Sequence, residues 1–288
     1  MNRICFYHAG CPDGFGAAWA ARKAWGEDAR YVPHRHEHRL DPDDFADCQL
    51  AFVDIAPTNE ELLGLARVAE QLIVLDHHVT ARDRYHSEPA VVNEVEELGH
   101  DVIYDMDRSG AMMSWGYFCP EEPPALLRYV QDQDLWHWRL EGSREVNAAI
   151  AAYPQDFESW DALAKRDPAE LVAEGSAIVR SNQVEIERRA RSAHPLQVNG
   201  ELVEAVNSTT LRSSIGHVLA ERKAHGTARG CVYRVDGSRV HATLYSIGDV
   251  DVASVAAGFG GGGHRNAAGF SISLERWLRE LVQPANPS

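Results

Sequence analysis

The sequence predicts an α/β fold: a parallel sheet covered by helices on both faces, followed by one long helix and a smaller α+β lobe. Three observations predict it. Near-continuous apolar runs at 2–7 (NRICFY), 50–54 (LAFVD) and 71–75 (QLIVL) alternate with helical patterns, as buried parallel strands do. Residues 168–192 carry a long amphipathic, charge-laced helical pattern. Beyond it the texture changes to short runs typical of antiparallel strands. On this reading residues 1–170 form one domain, 171–195 the connecting helix and 196–288 a second domain.

The elements follow in order. The first strand stops at His8, and a turn (AGCPDG) leads into an Ala-rich helix from Phe15 to Trp25. ARYVP reads as a further strand, leading into HRHEH (34–38). The next apolar strand ends in Asp54, and Thr58 or Asn59 then caps a helix with an acidic first turn. A third apolar strand runs into Asp76-His77-His78. Two helices are expected over 109–118 and 124–130. In the second lobe, 202–207, 228–235, 239–247 and 268–273 read as strands and 213–224 as a helix. VQPANPS at the end reads as a frayed tail.

Composition narrows the function classes. With 288 residues, 44% hydrophobic and 25% charged, the chain is an ordinary globular protein with room for a sizeable core. A net charge of −15 excludes a surface that coats duplex nucleic acid, which needs a basic footprint. It leaves room for an enzyme whose metal cluster and local arginines receive phosphates. No apolar run approaches the ~18–20 residues of a membrane span, and MNRICFYHAGCPDG lacks the features of a secretory signal. The cysteines, at 5, 11, 48, 119 and 231, form no CxxC pair, so a reducing, cytoplasmic setting is expected.

Two constellations carry chemistry. His8, Asp13, Asp54, Asp76, His77 and His78 fall at or just past the ends of three strands, the edge where open α/β sheets bind ligands. Each alone reads as a capping acid or a surface histidine; their shared position argues otherwise. Carboxylates mixed with imidazoles suit Mn²⁺, Mg²⁺, Fe²⁺ or Zn²⁺. Two such ions can clamp a phosphate and acidify a bridging water. The second constellation is GFGGGGHRNAAGF (258–270). Four consecutive glycines exclude a helix or strand interior and leave main-chain N–H groups to converge on an anion. Flanking by Phe259 and AAGF argues against a flexible linker. In HRHEH, His34, His36 and His38 would share a strand face, or sit in an exposed loop at a cleft rim. Trp136 and Trp138 around His137 suit core packing or base stacking, and Asp105 and Asp107 suit a turn.

LIVLDHH (72–78), together with YHAGCPDGFGAAWAA (7–21), FVDIAP (52–57) and YVQDQDLW (129–136), resembles the DHH phosphoesterase superfamily. GGGGHRNAAGF resembles the motif of its DHH-associated C-terminal domain, and the likeness spans nearly the whole chain in the family's motif order. The resemblance implies a bilobal enzyme of the RecJ-like or nanoRNase-like kind. A dinuclear Mn²⁺ centre would lie in the first lobe, and substrate would be held across a cleft by the second. It implies His8 as ligand of one metal, Asp13 and His77 of the other, and Asp54 between them. The fourth acid would be Asp134, or else Asp132. Asp76 would orient His77 or a water, and His78 would contact phosphate or donate a proton. Gly261, Gly262, Gly263 and His264 would grip a terminal phosphate. Arg108 and Ser109 open a small-residue helix start that could face an anion, although packing explains it as well.

The chain departs from the family pattern twice. Cys11-x-Asp13 stands where Asp-x-Asp is usual. A thiolate suits Mn²⁺ poorly, which leaves that site weak, empty or biased towards Fe²⁺ or Zn²⁺. In TLYSIGDVDV (243–252), Tyr245 replaces an arginine that would grip phosphate, and could stack on a base. Arg212, Arg234, Arg239 and Arg265 are candidate substitutes.

The expected function is a metal-dependent phosphodiesterase, an exonuclease acting on short single-stranded oligonucleotides or dinucleotides. The alternatives are a phosphatase of 3′-phosphoadenosine 5′-phosphate or a phosphoanhydride hydrolase, and a catalytically impaired nucleotide-binding module. A homodimer is compatible with the sequence; no membrane partner is expected.

Overall fold

The structure, a computed structural model, describes residues 2–35 and 38–282. His36 and the end of the tail lie outside these residues. The chain divides within its longest helix into two compact units, Met1–Val179 and Arg180–Ser288.

The first unit is α/β. Its strands are β1 (Asn2–His8), β2 (Arg30–His34), β3 (Cys48–Val53), β4 (Gln71–Asp76) and β5 (Asp101–Tyr104). They form an all-parallel sheet in the order β2-β1-β3-β4-β5. Its helices are α1 (Pro12–Trp25), α2 (Asn59–Val68), α3 (Val79–Ser87), α4 (Pro89–Glu97), α5 (Gly110–Phe118), α6 (Ala125–Asp134), α7 (Ser143–Ile150), α8 (Phe157–Leu163) and α9 (Pro168–Arg191). The apolar strands are continuous because both faces are buried. Ile4, Phe6, Leu50, Phe52, Leu72 and Val74 pack with Leu62 and Leu65 of α2. Cys5, Ala51, Val53, Ile73 and Leu75 face Ala17, Ala18 and Ala21 of α1. A further helical layer closes around Trp19, Trp115, Leu127 and Trp160.

Local chemistry sets the helix starts. α1 begins at Pro12, earlier than the periodicity indicates, because Cys11 Sγ accepts the Gly14 N–H at 3.1 Å and Pro12 is preset for the first turn. At α2, Thr58 is the cap: its hydroxyl accepts from Glu61 N at 3.3 Å, and the Glu61 carboxylate accepts from Thr58 N at 3.0 Å. α6 continues past Val130 to Asp134. β5, α3 and α4 carry no strong sequence pattern; β5 is a four-residue edge strand, half-exposed.

The second unit holds β6 (His194–Val198), β7 (Glu201–Asn207), α10 (Arg212–Arg222), β8 (Arg229–Asp236), β9 (Arg239–Ser246), α11 (Ala253–Ala257), β10 (Gly262–His264), β11 (Ala267–Ser273) and α12 (Leu274–Glu280). Its sheet runs β10-β11-β9-β8-β7-β6. The expectation of antiparallel strands fails for one pair: β7 and β8 are parallel. The reason is α10, which carries the chain back so that β8 starts at the same end as β7. Trp277, Phe270 and Leu244 anchor one face of this sheet; Tyr245, Ile215 and Leu219 anchor the other.

The glycine run also differs from expectation. Gly262 and Gly263, with His264, form a strand that pairs with Gly269, Ala268 and Ala267. Glycine is required here because β11 comes too close for side chains. A Cβ on Gly261 would stand 2.8 Å from Phe270 Cα, and one on Gly263 would stand 2.7 Å from the Ala267 carbonyl oxygen. Among the described residues no helix is long and apolar enough to cross a membrane.

Candidate metal centre

The strand order reverses direction between β1 and β3, and open α/β sheets hold ligands beyond the carboxyl ends of strands at such a point. His8 ends β1, Asp54 follows β3, and Asp76 ends β4. Asp54 sits at φ 58°, in the left-handed region, with its N–H donating to Leu75 O at 2.9 Å. Aspartate tolerates that conformation better than most residues, and strain of this kind gathers at functional sites. Gly110 makes the bend possible: a Cβ there would stand 2.9 Å from both Asp54 Cα and Cγ.

His77 is the hub of one side of the site. Its Nε2 lies 3.0 Å from Asp54 Oδ1, 3.5 Å from Asp134 Oδ2 and 3.7 Å from Asp13 Oδ2. Asp13 is fixed by the start of α5, whose Gly110 and Ala111 N–H groups donate to its carboxylate at 2.6 and 3.2 Å. The anion at the small-residue helix start is therefore a side chain of the protein itself, favoured there by the helix dipole. On the other side, His8 Nδ1 lies 3.3 Å from Asp54 Oδ2, and Cys11 Sγ lies 3.4 Å from the same oxygen. Asp13, Asp54 and His77 each offer a donor atom within 4.8 Å of the others, and so do His8, Asp54 and His78. Asp54 belongs to both triplets.

The electrostatics fit a cation. The ion-pair partners of Asp13, Asp54 and Asp134 are histidines. Burial, and then the charges of Asp134 and Asp54, push Asp13 well above the usual carboxylate range. Burial raises Asp134 as well. Burial works against Asp54 ionising, but hydrogen bonds from His77 and His8 hold it well below that range. Burial alone would lower His77; its hydrogen bond to Asp54 and the neighbouring carboxylates raise it to about 10. Asp134 Oδ2 is buried without a hydrogen-bond donor. Carboxylates so crowded that protons must be kept among them form a donor set that a divalent ion satisfies. These acidic and histidine groups are positioned to hold a metal ion.

Several sequence expectations need correction. Asp76 does not orient the His77 ring: its Oδ1 accepts from the His77 and His78 N–H groups at 2.8 and 3.3 Å and sits 2.6 Å from His78 Nδ1. His78 joins His8 and Asp54 as a candidate ligand, whereas the family resemblance implied a phosphate contact or proton donor. Asp132 faces away from this cluster into the turn after α6, where its carboxylate accepts from Arg139 N at 2.9 Å and Leu140 N at 3.2 Å. A helix places residues two apart on different faces, which is why Asp134 reaches His77 and Asp132 does not. Trp136 and Trp138 lie in this turn, both at positive φ, with rings 5.1 Å apart and Arg144 over Trp138. Arg108 is tied to Asp105 at 2.6 Å, and Ser109 is a buried cap for α5. His34 is buried at the end of β2 with its ring edge-on to Phe6, and His38 stands 5.7 Å from it.

In the second unit, Tyr245 is a core residue, 7% exposed, with its ring laid over Gly216. Burial there excludes the base-stacking role. Gly261 N–H is spent on Ala256 O at 2.9 Å, so the run presents fewer main-chain donors than its glycine count suggests. Arg265 bonds Asp249 O at 2.7 Å, Arg239 bonds Ser271, and Arg234 pairs with Asp236. Phe259 stacks on Phe270 with centroids 4.4 Å apart, which anchors the loop to the core.

No family model matches the sequence. The chain is 27% identical over 294 residues to an uncharacterized protein, R106, of Acanthamoeba polyphaga mimivirus, covering 94% of this chain and 67% of that protein. Its structure is similar to that of a pGpG-specific phosphodiesterase, PggH, from Vibrio cholerae. That match has a TM-score of 0.44 and 12% identity, and covers 97% of this chain and 96% of the other. It is also similar to an exopolyphosphatase-related protein from Bacteroides fragilis, with a TM-score of 0.42, 13% identity, and coverage of 97% and 89%. At such distances the function has to be read from the chain's own residues.

Proposed function

We propose that this protein is a metal-dependent phosphodiesterase of the DHH type that hydrolyses short single-stranded oligonucleotides or dinucleotides. The observation that carries the reading is the meeting of Asp13, Asp54, His77 and Asp134, from four separated stretches of chain, at the switch point of a parallel sheet. The motifs DHH and GGGGHRNAAGF, in that order, support it.

Divalent ions held by Asp13, Asp54, His77 and Asp134, and by His8, Asp54 and His78, would supply positive charge for the phosphate and lower the pKa of a nucleophilic water. The protein's own groups do the rest. The α5 N-terminus holds Asp13, and the left-handed bend aims one oxygen of Asp54 at each side of the site. Burial opposes ionisation of Asp76, yet His78 holds its carboxyl below the usual range. Asp76 is therefore the acceptor and His78 Nδ1 the donor, which fixes the tautomer and commits the other ring nitrogen to the site. In the reaction, water oxygen bonds to phosphorus, the ester P–O bond breaks, and the departing alkoxide takes a proton. The products are a phosphomonoester and an alcohol. The acidic surface, −15 overall, favours short substrates over long ones that need a basic track.

The test is a substrate panel on Mn²⁺-supplemented protein: di- to pentanucleotides, 3′-phosphoadenosine 5′-phosphate and pyrophosphate, with wild type beside Asp54→Asn. Asparagine keeps the shape and accepts positive φ, so the fold should survive while turnover falls by about 10³-fold or more. Untouched oligonucleotides, or an active Asp54→Asn protein, would refute the reading.

A further inference from the structure

The two sides of the centre differ in donor chemistry. Around His77 the partners are carboxylates: Asp13, Asp54 and Asp134. Around His8 they are a sulfur, one oxygen of Asp54 and a second imidazole, His78. Cys11 Sγ, His8 Nδ1 and Asp54 Oδ2 form a triangle with edges of 3.7, 3.3 and 3.4 Å. A tetrahedral zinc-like ion, at about 2.3 Å from sulfur and about 2.0–2.1 Å from nitrogen and oxygen, sets donor-to-donor edges of roughly 3.3–3.6 Å. The triangle already has nearly those dimensions. His78, steadied by Asp76, brings a donor atom within 4.8 Å of one donor atom each of His8 and Asp54.

Capping does not account for the sulfur. Cys11 Sγ accepts the Gly14 N–H at the start of α1, a task that Ser, Thr, Asp or Asn performs better. Manganese and magnesium favour oxygen-rich shells, whereas thiolate with imidazole selects zinc or ferrous iron.

We propose, building on the reading of this site as a phosphodiesterase centre, that it is made for two different metals. A borderline-soft ion, Zn²⁺ or Fe²⁺, takes Cys11, His8, Asp54 and His78. A hard ion, Mn²⁺ or Mg²⁺, takes Asp13, Asp54, His77 and Asp134. Binding on the sulfur side releases the Cys11 proton to solvent and involves no redox step.

Full-length protein stripped with a chelator and titrated with Co²⁺ tests this by spectroscopy. The expected result is a sulfur-to-cobalt charge-transfer band in the near ultraviolet, absent in Cys11→Ser and Cys11→Asp. Both replacements keep a good cap on α1, and circular dichroism checks that the fold is retained. Elemental analysis after dialysis against equal Zn²⁺ and Mn²⁺ should find one ion of each per wild-type chain. Cys11→Asp should lose zinc preference by roughly 10–100-fold and fill with manganese. A cobalt complex without the sulfur band, or two manganese ions in wild type, would overturn the mixed-metal proposal and leave the phosphodiesterase reading standing. Protein that binds no divalent ion would overturn both.

Discussion

The carboxyl edge of the parallel sheet and the glycine-rich edge of the mixed sheet treat their polar residues in opposite ways. At the first edge, β1, β3 and β4 end side by side, and their terminal side chains gather with more acid than their imidazoles neutralise. At the second, several groups near the motif have partners within the unit: Arg265 donates to Asp249 O, the Gly261 N–H to Ala256 O, and Tyr245 packs on Gly216. The lesson is that chemical potential is left over where parallel strands stop together. An antiparallel meander, returning on itself, tends to satisfy its own ends.

The largest effect that sharpens this contrast involves two acids two residues apart. Asp134→Asn should weaken divalent-ion binding by at least about 10–100-fold, measured by calorimetric titration. Asp132→Asn should leave that affinity alone and cost about 1–3 kcal/mol of stability in urea denaturation, because two backbone N–H groups lose a charged acceptor. Reversed results would place the wrong acid at the metal. Next come two glycines. Gly110→Ala pushes against Asp54 and should lower both stability, by about 1–3 kcal/mol, and ion affinity. Gly216→Ala pushes a methyl towards Tyr245 Cε2, 2.6 Å from the added carbon, and should lower stability by a similar amount with ion affinity intact.

The pH dependence of chelator-treated protein is a further test. His77 is raised to about 10 in the fold against about 6.5 unfolded. The stability it contributes is complete below the unfolded value and disappears as pH rises through the folded one. The thermal midpoint should therefore fall between about pH 7 and pH 10, and a saturating divalent ion should flatten the slope. A midpoint that rises over this range would mean His77 is not held by its carboxylates. The smallest effect is expected at Tyr245→Phe, which removes a hydroxyl that meets Ser213 at 3.5 Å and also interacts with Thr243, and should change stability by about 1 kcal/mol and leave the ion site untouched.

Much of this was legible residue by residue. Apolar runs broken by acids and histidines marked β1, β3 and β4 and the edge they share, because burial on both faces writes itself into the sequence as unbroken hydrophobicity. Thr58 or Asn59 before an acidic first turn announced the start of α2, and Thr58 is the cap. The short strand β5 and the glycine strand β10 were not legible, since one is a brief half-exposed edge and the other is built from residues that disfavour strands in isolation. Tyr245 was misread because its type suggested ligand contact, while the absence of a side chain at Gly216 lets its ring lie in the core.

The sequence by itself determined the α/β class, the identity of the chemical groups and the edge of the sheet on which they fall. Those follow from local periodicity and from residue types at strand ends. Only the tertiary structure decided between Asp132 and Asp134, turned Asp76 towards His78, gave the α5 N-terminus to Asp13 and set sulfur beside His8. The meetings of Asp134 with His77 and of Asp13 with α5 join segments far apart in the chain, while the Asp76–His78 and Cys11–His8 contacts depend on how a tight turn directs its side chains; residue type and periodicity encode neither.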